Sequence, residues 1–467
     1  MGSNHSVKIS SAVLRKSYLG SVKSDNEEVE LYYKSKDCIF TLPKGYKIDE
    51  TKGEYEVKVK DKFKYDSFLT LDHHSDLENN SLSFKYLGKK NNSIENQTFQ
   101  FTTQEEYQQA FSILNAINTT QREGKPRHLG IIINPISGHK KSMGYFENVL
   151  KPMLDCSGIR YDVYKTTGPT YVQQMMSELD LEKTPYTDFV VIGGDGTLFQ
   201  LINSCEDHPQ KQLIWKKPFG LFPGGSANTV SCNLGCTNEY LSTSRVLKGD
   251  TIQADMIEVT LDNDKKIYGV CGFMYGHIET SVQDSGREEY GRYRYFVKGL
   301  KDLFSSFSTP TYPISLSYKI HKDAEKNEEN KDDGWITHPK NEIFSMIAMQ
   351  HEGRCTQISS PVLPFIRYNE EKMILFIFDP TNKFRCLEFL FKWILGYGKQ
   401  LYIPGLILKP VDQIKLQFET PSKIALDGEK YVTKSCDLKL HQQKINLMGK
   451  TYPYTDQDEK LKFDLGI

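Results

Sequence analysis

From Leu129 to Phe222, short apolar runs alternate with amphipathic stretches, and this alternation leaves that part of the chain few architectures to choose from. Leu129–Ile133, Tyr161–Lys165, Asp188–Ile192 and Phe219–Phe222 read as strands. Gly144–Leu154, Tyr171–Leu179 and Leu198–Ser204 read as the helices between them. Strands joined through helices pair side by side in parallel, because the crossover helix carries the chain back to the edge where the first strand began. The expectation is an α/β lobe, a parallel sheet with helices, over residues 127–250.

Open α/β sheets bind ligands beyond the carboxyl ends of their strands. Three glycine-rich segments fall there: Asn134-Pro-Ile-Ser-Gly138, Gly193-Gly-Asp-Gly-Thr197 and Pro223-Gly-Gly-Ser-Ala-Asn228. Glycine lets backbone amides come close to phosphate oxygens, and a following helix N-terminus adds positive potential. Ser137, Thr197 and Ser226 add hydroxyl donors. One such loop is common; three in one sheet point to a nucleotide. Asp195 stands between glycines where an anion is expected, so repulsion disfavours it unless it has a task. It either holds Mg²⁺ or accepts the proton of an attacking hydroxyl; the plain alternative is a turn former or helix cap. Neither a Gly-x-x-x-x-Gly-Lys-Ser/Thr loop nor a protein-kinase catalytic loop is present.

Residues 1–122 read differently, as short strands (Glu28–Tyr33, Glu54–Val59, Ser81–Tyr86, Gln97–Thr102) closed by one helix. Thr103-Gln-Glu-Glu106 is a capping-box pattern ahead of Tyr107, Ala110, Phe111, Leu114 and Ile117 at helical spacing. Lys58, Lys60, Lys62 and Lys64 cluster beside the second strand, either facing lipid headgroups or on a solvated turn. Gly124-Lys-Pro126 reads as a linker. After residue 250 strands return at Met256–Leu261, Ile267–Phe273, Phe344–Met349, Met373–Phe378 and Ile414–Phe418, giving a mostly β segment over 251–467. Lys322–Asn341, charged and poor in apolar residues, reads as a mobile insertion. Phe296, Leu300, Leu303, Phe304 and Phe307 form one apolar helix face and Phe389–Leu395 another; such stripes are core, an acyl-chain pocket or a bilayer contact.

The 467 residues are too many for one core, and a formal net charge of −1 argues against nucleic acid as a partner. Nine scattered cysteines, with Cys232 and Cys236 the one close pair, suit a reducing compartment and make no zinc pattern. The apolar stretch Phe389–Leu408 is broken by Lys392, Gly396, Gly398, Lys399 and Pro404 and is not a membrane span. Met1-Gly2 with Ser6 fits the pattern for N-myristoylation of Gly2, a modification that alone binds membranes marginally. The expected location is cytoplasmic, with peripheral membrane association.

The three loops, in this order and at these intervals, resemble the motif series of the diacylglycerol-kinase-type catalytic domain, a family that includes sphingosine, ceramide and diacylglycerol kinases. A weaker resemblance continues through Tyr290-Gly-Arg-Tyr-Arg-Tyr295 and Asp427-Gly-Glu429, and Lys217-Pro-Phe-Gly-Leu-Phe-Pro223 looks most like the sphingosine and ceramide branch. The segment 1–122 resembles a pleckstrin-homology (PH)-like domain, without the tryptophan usual in its closing helix. The resemblance implies a PH-like β-barrel domain, then an α/β nucleotide-binding lobe and a β-sandwich lobe. It implies ATP, Mg²⁺ and a lipid as partners. It implies Asp195 as general base. Asn134, Ser137, Gly138, Thr167, Gly193, Gly194, Gly196, Thr197, Gly224, Gly225, Ser226 and Asn228 would line the ATP site. Arg294 would hold phosphates with Asp427, Gly428 and Glu429, and Asp195 and Asp427 would meet the metal. Two positions depart from the pattern. Gln200 stands where a Glu is usual, and Thr280 stands where sphingosine kinases place an Asp toward the lipid head, a role open to Glu279 or Asp284 instead. The implied activity is ATP-dependent phosphorylation of a sphingoid base, with ceramide or diacylglycerol as alternative acceptors. A catalytically decayed lipid-binding scaffold is the reading from another class. NAD kinases share Gly-Gly-Asp-Gly-Thr but lack the Pro-Gly-Gly-Ser-x-Asn loop.

Overall fold

The computed structural model describes residues 6–9, 18–24, 27–34, 38–43, 55–58, 62–64, 68–71, 80–88, 91–115, 121–122, 124–206, 208–283, 294–305, 308–322, 334–358, 360–379, 382–395 and 398–465. Gly2, Lys60, Ile117, Asp284 and Phe307 lie outside these residues. The chain forms two compact units, one of residues 1–129, 144–162 and 238–249, the other of 130–143, 163–237 and 250–467.

In the first unit a seven-stranded sheet runs in the order Lys62–Lys64, Cys38–Pro43, Glu27–Lys34, Tyr18–Ser24, Ile94–Phe101, Ser81–Leu87, Phe68–Leu71, and neighbours are antiparallel. The closing helix Gln104–Asn115 starts as the capping pattern requires. The Glu106 amide donates to Thr103 Oγ1 at 3.3 Å, and the Glu106 carboxylate accepts from the Ser21 amide at 3.2 Å. That second bond ties the helix to the sheet. Tyr107, Ala110 and Leu114 are then buried against Leu31, Phe84 and Phe99.

The second unit holds one whole sheet and most of another. The α/β sheet has the order Arg160–Lys165, His128–Ile133, Asp188–Gly193, Phe219–Pro223, Ile445–Met448, Thr251–Ala254. Asp188–Gly193 pairs in parallel with Phe219–Pro223, which pairs in parallel with Ile445–Met448. The first of these strands in sequence, His128–Ile133, sits between the second and the third. The chain therefore leaves it toward one side and leaves Asp188–Gly193 toward the other, so the two loops that follow diverge and open a crevice. Residue 250 does not separate the sheets, because Ile445–Met448 returns from the far end of the sequence to fill a place in this one. Phe189 stacks on Phe219 at 5.7 Å within its core.

The larger sheet is antiparallel and has nine strands, running Lys266–Gly269, Ile257–Leu261, Glu429–Leu440, Leu406–Leu426, Phe273–Gly276, Ser345–Met349, Met373–Phe378, with Ser315–Ile320 and Trp335–Thr337 attached. Leu406–Leu426 organises it. Its start pairs with Met373–Phe378, its middle with Ser315–Ile320 and its end with Phe273–Gly276. Only five of its 21 residues, Ile414–Phe418, carry a strand signal in the sequence. The expected insertion is corrected at Trp335–Thr337, which pairs with Ser317–Lys319, the indole lying under Lys415 Nζ at 4.4 Å.

Three helices, His277–Gln283, Arg294–Phe304 and Lys383–Leu395, accompany this sheet. No helix among the described residues is long and apolar enough to cross a membrane.

Candidate active site

The glycines of the three loops are required first by one another. A Cβ on Gly225 would stand 2.4 Å from the Gly194 Cα, and one on Gly138 would stand 2.4 Å from the Gly224 carbonyl oxygen. Gly138 also has φ +51°, which costs any residue with a Cβ. The Gly224 amide donates to the Gly193 carbonyl at 2.9 Å. Side chains complete the interlock. Asn134 Nδ2 donates to Thr197 Oγ1 at 3.2 Å. Asn228 Oδ1 accepts from the Gly225 amide at 2.6 Å, and its Nδ2 donates to the carbonyls of Pro223 and Gly225 and to Thr356 Oγ1.

Asp195 is the first residue of helix Asp195–Ser204. Its carboxylate accepts from the amides of Thr229, at 2.8 Å, and Val230, at 3.0 Å, which open the short helix Thr229–Asn233. The second loop is thereby fixed to the third. Burial pushes the Asp195 carboxyl above the usual carboxylate range, and the two amides pull partly against that. Asp427, at the tip of the hairpin joining Leu406–Leu426 to Glu429–Leu440, accepts from the amides of Val270 (2.7 Å), Cys271 (2.8 Å) and Gly272 (2.9 Å). Burial raises its carboxyl to about 7 against those three bonds, and the Asp195 charge adds to the rise. A carboxylate oxygen of Glu429 would stand 2.7 Å from a Cβ on Gly196, which places that group at the same helix N-terminus.

These residues form the polar end of a single cavity of about 1110 Å³. Asn134, Ser137, Gly138, Gly194, Asp195, Gly196, Thr197, Gly225, Ser226, Asp427, Gly428 and Glu429 line it, as does Gln200. The other end is apolar, bounded by Met274, Ile278, Leu300, Leu303, Ile347, Met349, Phe376, Phe389, Leu390 and Trp393 among others. Gly193, Gly224 and Asn228 are not on its wall; Asn228 is 2% exposed and braces the third loop from behind. Thr167 is exposed and also off the wall. Arg294 begins its helix, and its side chain is outside the described residues, as is Asp284 altogether.

On helix His277–Gln283 the residues on the cavity are His277, Ile278 and Ser281, whereas Glu279 and Thr280 are not. Thr280 Oγ1 meets the Gly276 carbonyl at 3.3 Å and the Tyr312 hydroxyl at 3.5 Å. His277 stacks on Phe344 at 4.7 Å and meets the Gly299 carbonyl through Nε2 at 3.1 Å. That carbonyl takes the ring proton, so Nδ1 is an acceptor, and it has no partner among the described residues. Burial lowers the His277 pKa and keeps the ring neutral.

Sequence reasoning missed the segment Gly353–Ile358. The Thr356 amide donates to the Ala227 carbonyl at 2.7 Å, and Gln357 Nε2 to the Ser226 carbonyl at 3.0 Å, so this segment is a fourth wall for the third loop. Nothing in its composition marks it; only the pairing of distant strands brings it there. Among the described residues no group of three or more His, Cys, Asp or Glu is placed to hold a metal by itself.

Residues 128–259 match the family described as the diacylglycerol kinase catalytic domain. The chain is 26% identical over 192 residues to sphingoid long-chain bases kinase 1 of Arabidopsis thaliana, covering 40% of this chain and 25% of that one. It is 24% identical over 195 residues to human ceramide kinase, covering 39% and 36%. To sphingosine kinase 1 of Caenorhabditis elegans it is 25% identical over 237 residues, covering 47% and 46%. The matched segments thus span between a quarter and a half of these relatives. Among solved structures, a putative diacylglycerol kinase from Bacillus anthracis superposes with a TM-score of 0.51 at 15% identity, covering 69% of this chain and 97% of that one.

Proposed function

We propose that this protein is an ATP-dependent lipid kinase that transfers the γ-phosphate to a hydroxyl of a long-chain lipid, a sphingoid base being the first candidate and ceramide or diacylglycerol the alternatives. The observation that carries the reading is the continuity of one cavity from the glycine loops to an apolar chamber. A phosphate-binding crevice alone would suit any nucleotide enzyme. The attached chamber suits an acceptor with long tails.

In this reading the amides of the three loops and the N-terminus of helix Asp195–Ser204 hold the phosphates. Asp195, its orientation fixed by two amides and its basicity raised by burial, takes the proton of the attacking hydroxyl. Asp195 and Asp427 lie close enough for one charge to raise the other's pKa. Two carboxylates beside ATP phosphates call for a cation, and Mg²⁺ is commonly held by one or two carboxylates together with substrate phosphates. Each carboxylate retains lone pairs beyond its amide bonds, so the pair fits such an ion. Mg²⁺ would supply neutralisation of the transferring group's charge. The sheet and helix of the first unit support a PH-like domain that meets lipid headgroups, in keeping with peripheral membrane association.

The test is transfer of label from γ-labelled ATP to sphingosine, ceramide and diacylglycerol in mixed micelles. Label on at least one lipid, lost in Asp195→Asn, is expected. Absence of label on all three, from folded protein that still binds ATP, overturns the reading in favour of a lipid-binding scaffold.

A further inference from the structure

Helix Lys383–Leu395 is apolar on two opposite faces, and only one of them is covered. Cys386, Phe389, Leu390 and Trp393, at spacings of three, four and seven, line the cavity. Phe384 and Phe391, seven residues apart and so on one stripe, point the other way and are 77% and 62% exposed. An apolar stripe on a helix is normally covered by protein or by lipid. Neither phenylalanine lines the cavity.

What surrounds this stripe suits a bilayer. Lys383, Arg385 and Lys392 stand against the single acidic Glu388, which pairs with both Arg385 and Lys392 along the helix. Lys383 Nζ lies 5.6 Å over the ring of Phe304, itself 53% exposed at the end of helix Arg294–Phe304, so the aromatic surface continues onto a second helix. Phenylalanines flanked by lysine and arginine are the composition of a helix lying in the interfacial plane, with rings in the acyl boundary and cations at the phosphates.

We infer that the outer face of helix Lys383–Leu395 docks on an anionic lipid bilayer through Phe384 and Phe391, so that one helix touches the membrane on one side and the lipid chamber on the other. A long-chain acceptor would then pass from bilayer to chamber around this helix without crossing water. The route rests on the proposed lipid-kinase reading; the docking itself does not.

The test is co-sedimentation of the full chain with vesicles of phosphatidylcholine, with and without phosphatidylserine. The double variant Phe384→Ser/Phe391→Ser is compared with Leu213→Ser, an equally solvent-facing apolar residue at 52% exposure on the α/β lobe. Wild-type protein is expected to bind, more strongly with phosphatidylserine. The double variant should bind roughly tenfold more weakly or worse, and Leu213→Ser should bind like wild type. Melting temperatures should be unchanged, because all three positions are exposed. Transfer to a short-chain, water-dispersed acceptor should also be unchanged in the double variant, which separates loss of docking from loss of the kinase. Undiminished vesicle binding by the double variant overturns the inference. So does wild-type protein that binds no vesicles, or a wild-type dimer that the double variant dissociates, since the face would then join copies of the chain.

Discussion

The two ends of the cavity are built by opposite means. The polar end comes chiefly from three short segments, each contiguous in sequence, whose glycines pack against one another's backbones at distances no side chain tolerates, with the hairpin tip Asp427–Glu429 beside them. The apolar end comes from residues scattered between Met274 and Trp393, on strands and helices that only the folded sheet brings together. One end is rigid by interlock and the other is shaped by side-chain volume. Substitutions at the polar end should therefore act on the nucleotide and on chemistry, and those at the apolar end on the lipid alone.

The largest expected effect is at Asp195. Asp195→Asn should lower turnover on the order of a hundredfold or more in steady-state assays. The variant is not structurally silent, since an amide can accept only one of the bonds from Thr229 and Val230 and turns a donor toward the other. A drop of several degrees in melting temperature is expected, with ATP binding nearly intact by calorimetry. Unchanged turnover would remove Asp195 from the chemistry.

Next is Gly225→Ala. Its Cβ would collide with the Gly194 backbone at 2.4 Å, where no flexible side chain can yield. Overpacking of this kind costs about 1–3 kcal/mol. ATP affinity should fall tenfold or more, while vesicle binding stays as in wild type. A variant with normal ATP affinity would show that the loops do not interlock in solution.

At the other end, Met274→Trp should fill part of the chamber. The KM for a long-chain acceptor should rise roughly tenfold with the KM for ATP unchanged. A parallel rise in both would erase the proposed division of labour.

The smallest effect is the pH response at Asp427, where the hairpin tip meets Val270–Gly272. Asp427 has its folded carboxyl at about 7, well above the ordinary aspartate range, so near neutral pH the folded chain binds a proton there that the unfolded chain has already released. Its contribution is full below the unfolded value and is lost as pH rises toward 7. The melting-temperature difference between wild type and Asp427→Asn should therefore shift in favour of wild type as pH falls from 8 to 5. A difference independent of pH would contradict the buried, raised carboxyl.

The same contrast explains what could be read in advance. Motifs are local, so the loops and the start of helix Gln104–Asn115 are visible as residue patterns. The α/β alternation is visible because His128–Ile133, Asp188–Gly193 and Phe219–Pro223 are almost wholly buried and so read as apolar runs. Leu406–Leu426 is mostly hidden, since a strand that pairs in turn with three partners alternates regularly only along part of its length. Glu279 and Thr280 were placed by analogy with a motif position, and helix rotation turns His277 and Ser281 to the cavity instead. Helix Lys383–Leu395 shows its apolar character in sequence, but which stripe faces protein is decided by the sheet beneath it.

The most direct measurement of the central claim, that one cavity serves both phosphate and tail, is photo-crosslinking of a long-chain acceptor bearing a diazirine at the chain end. The site of attachment would be read by peptide mass spectrometry in the presence of a non-hydrolysable ATP analogue. Attachment to Met274, Ile347, Leu390 or Trp393, competed by unlabelled lipid and reduced in Met274→Trp, is the predicted result. Attachment confined to the first unit, with the chamber residues unlabelled, would contradict it.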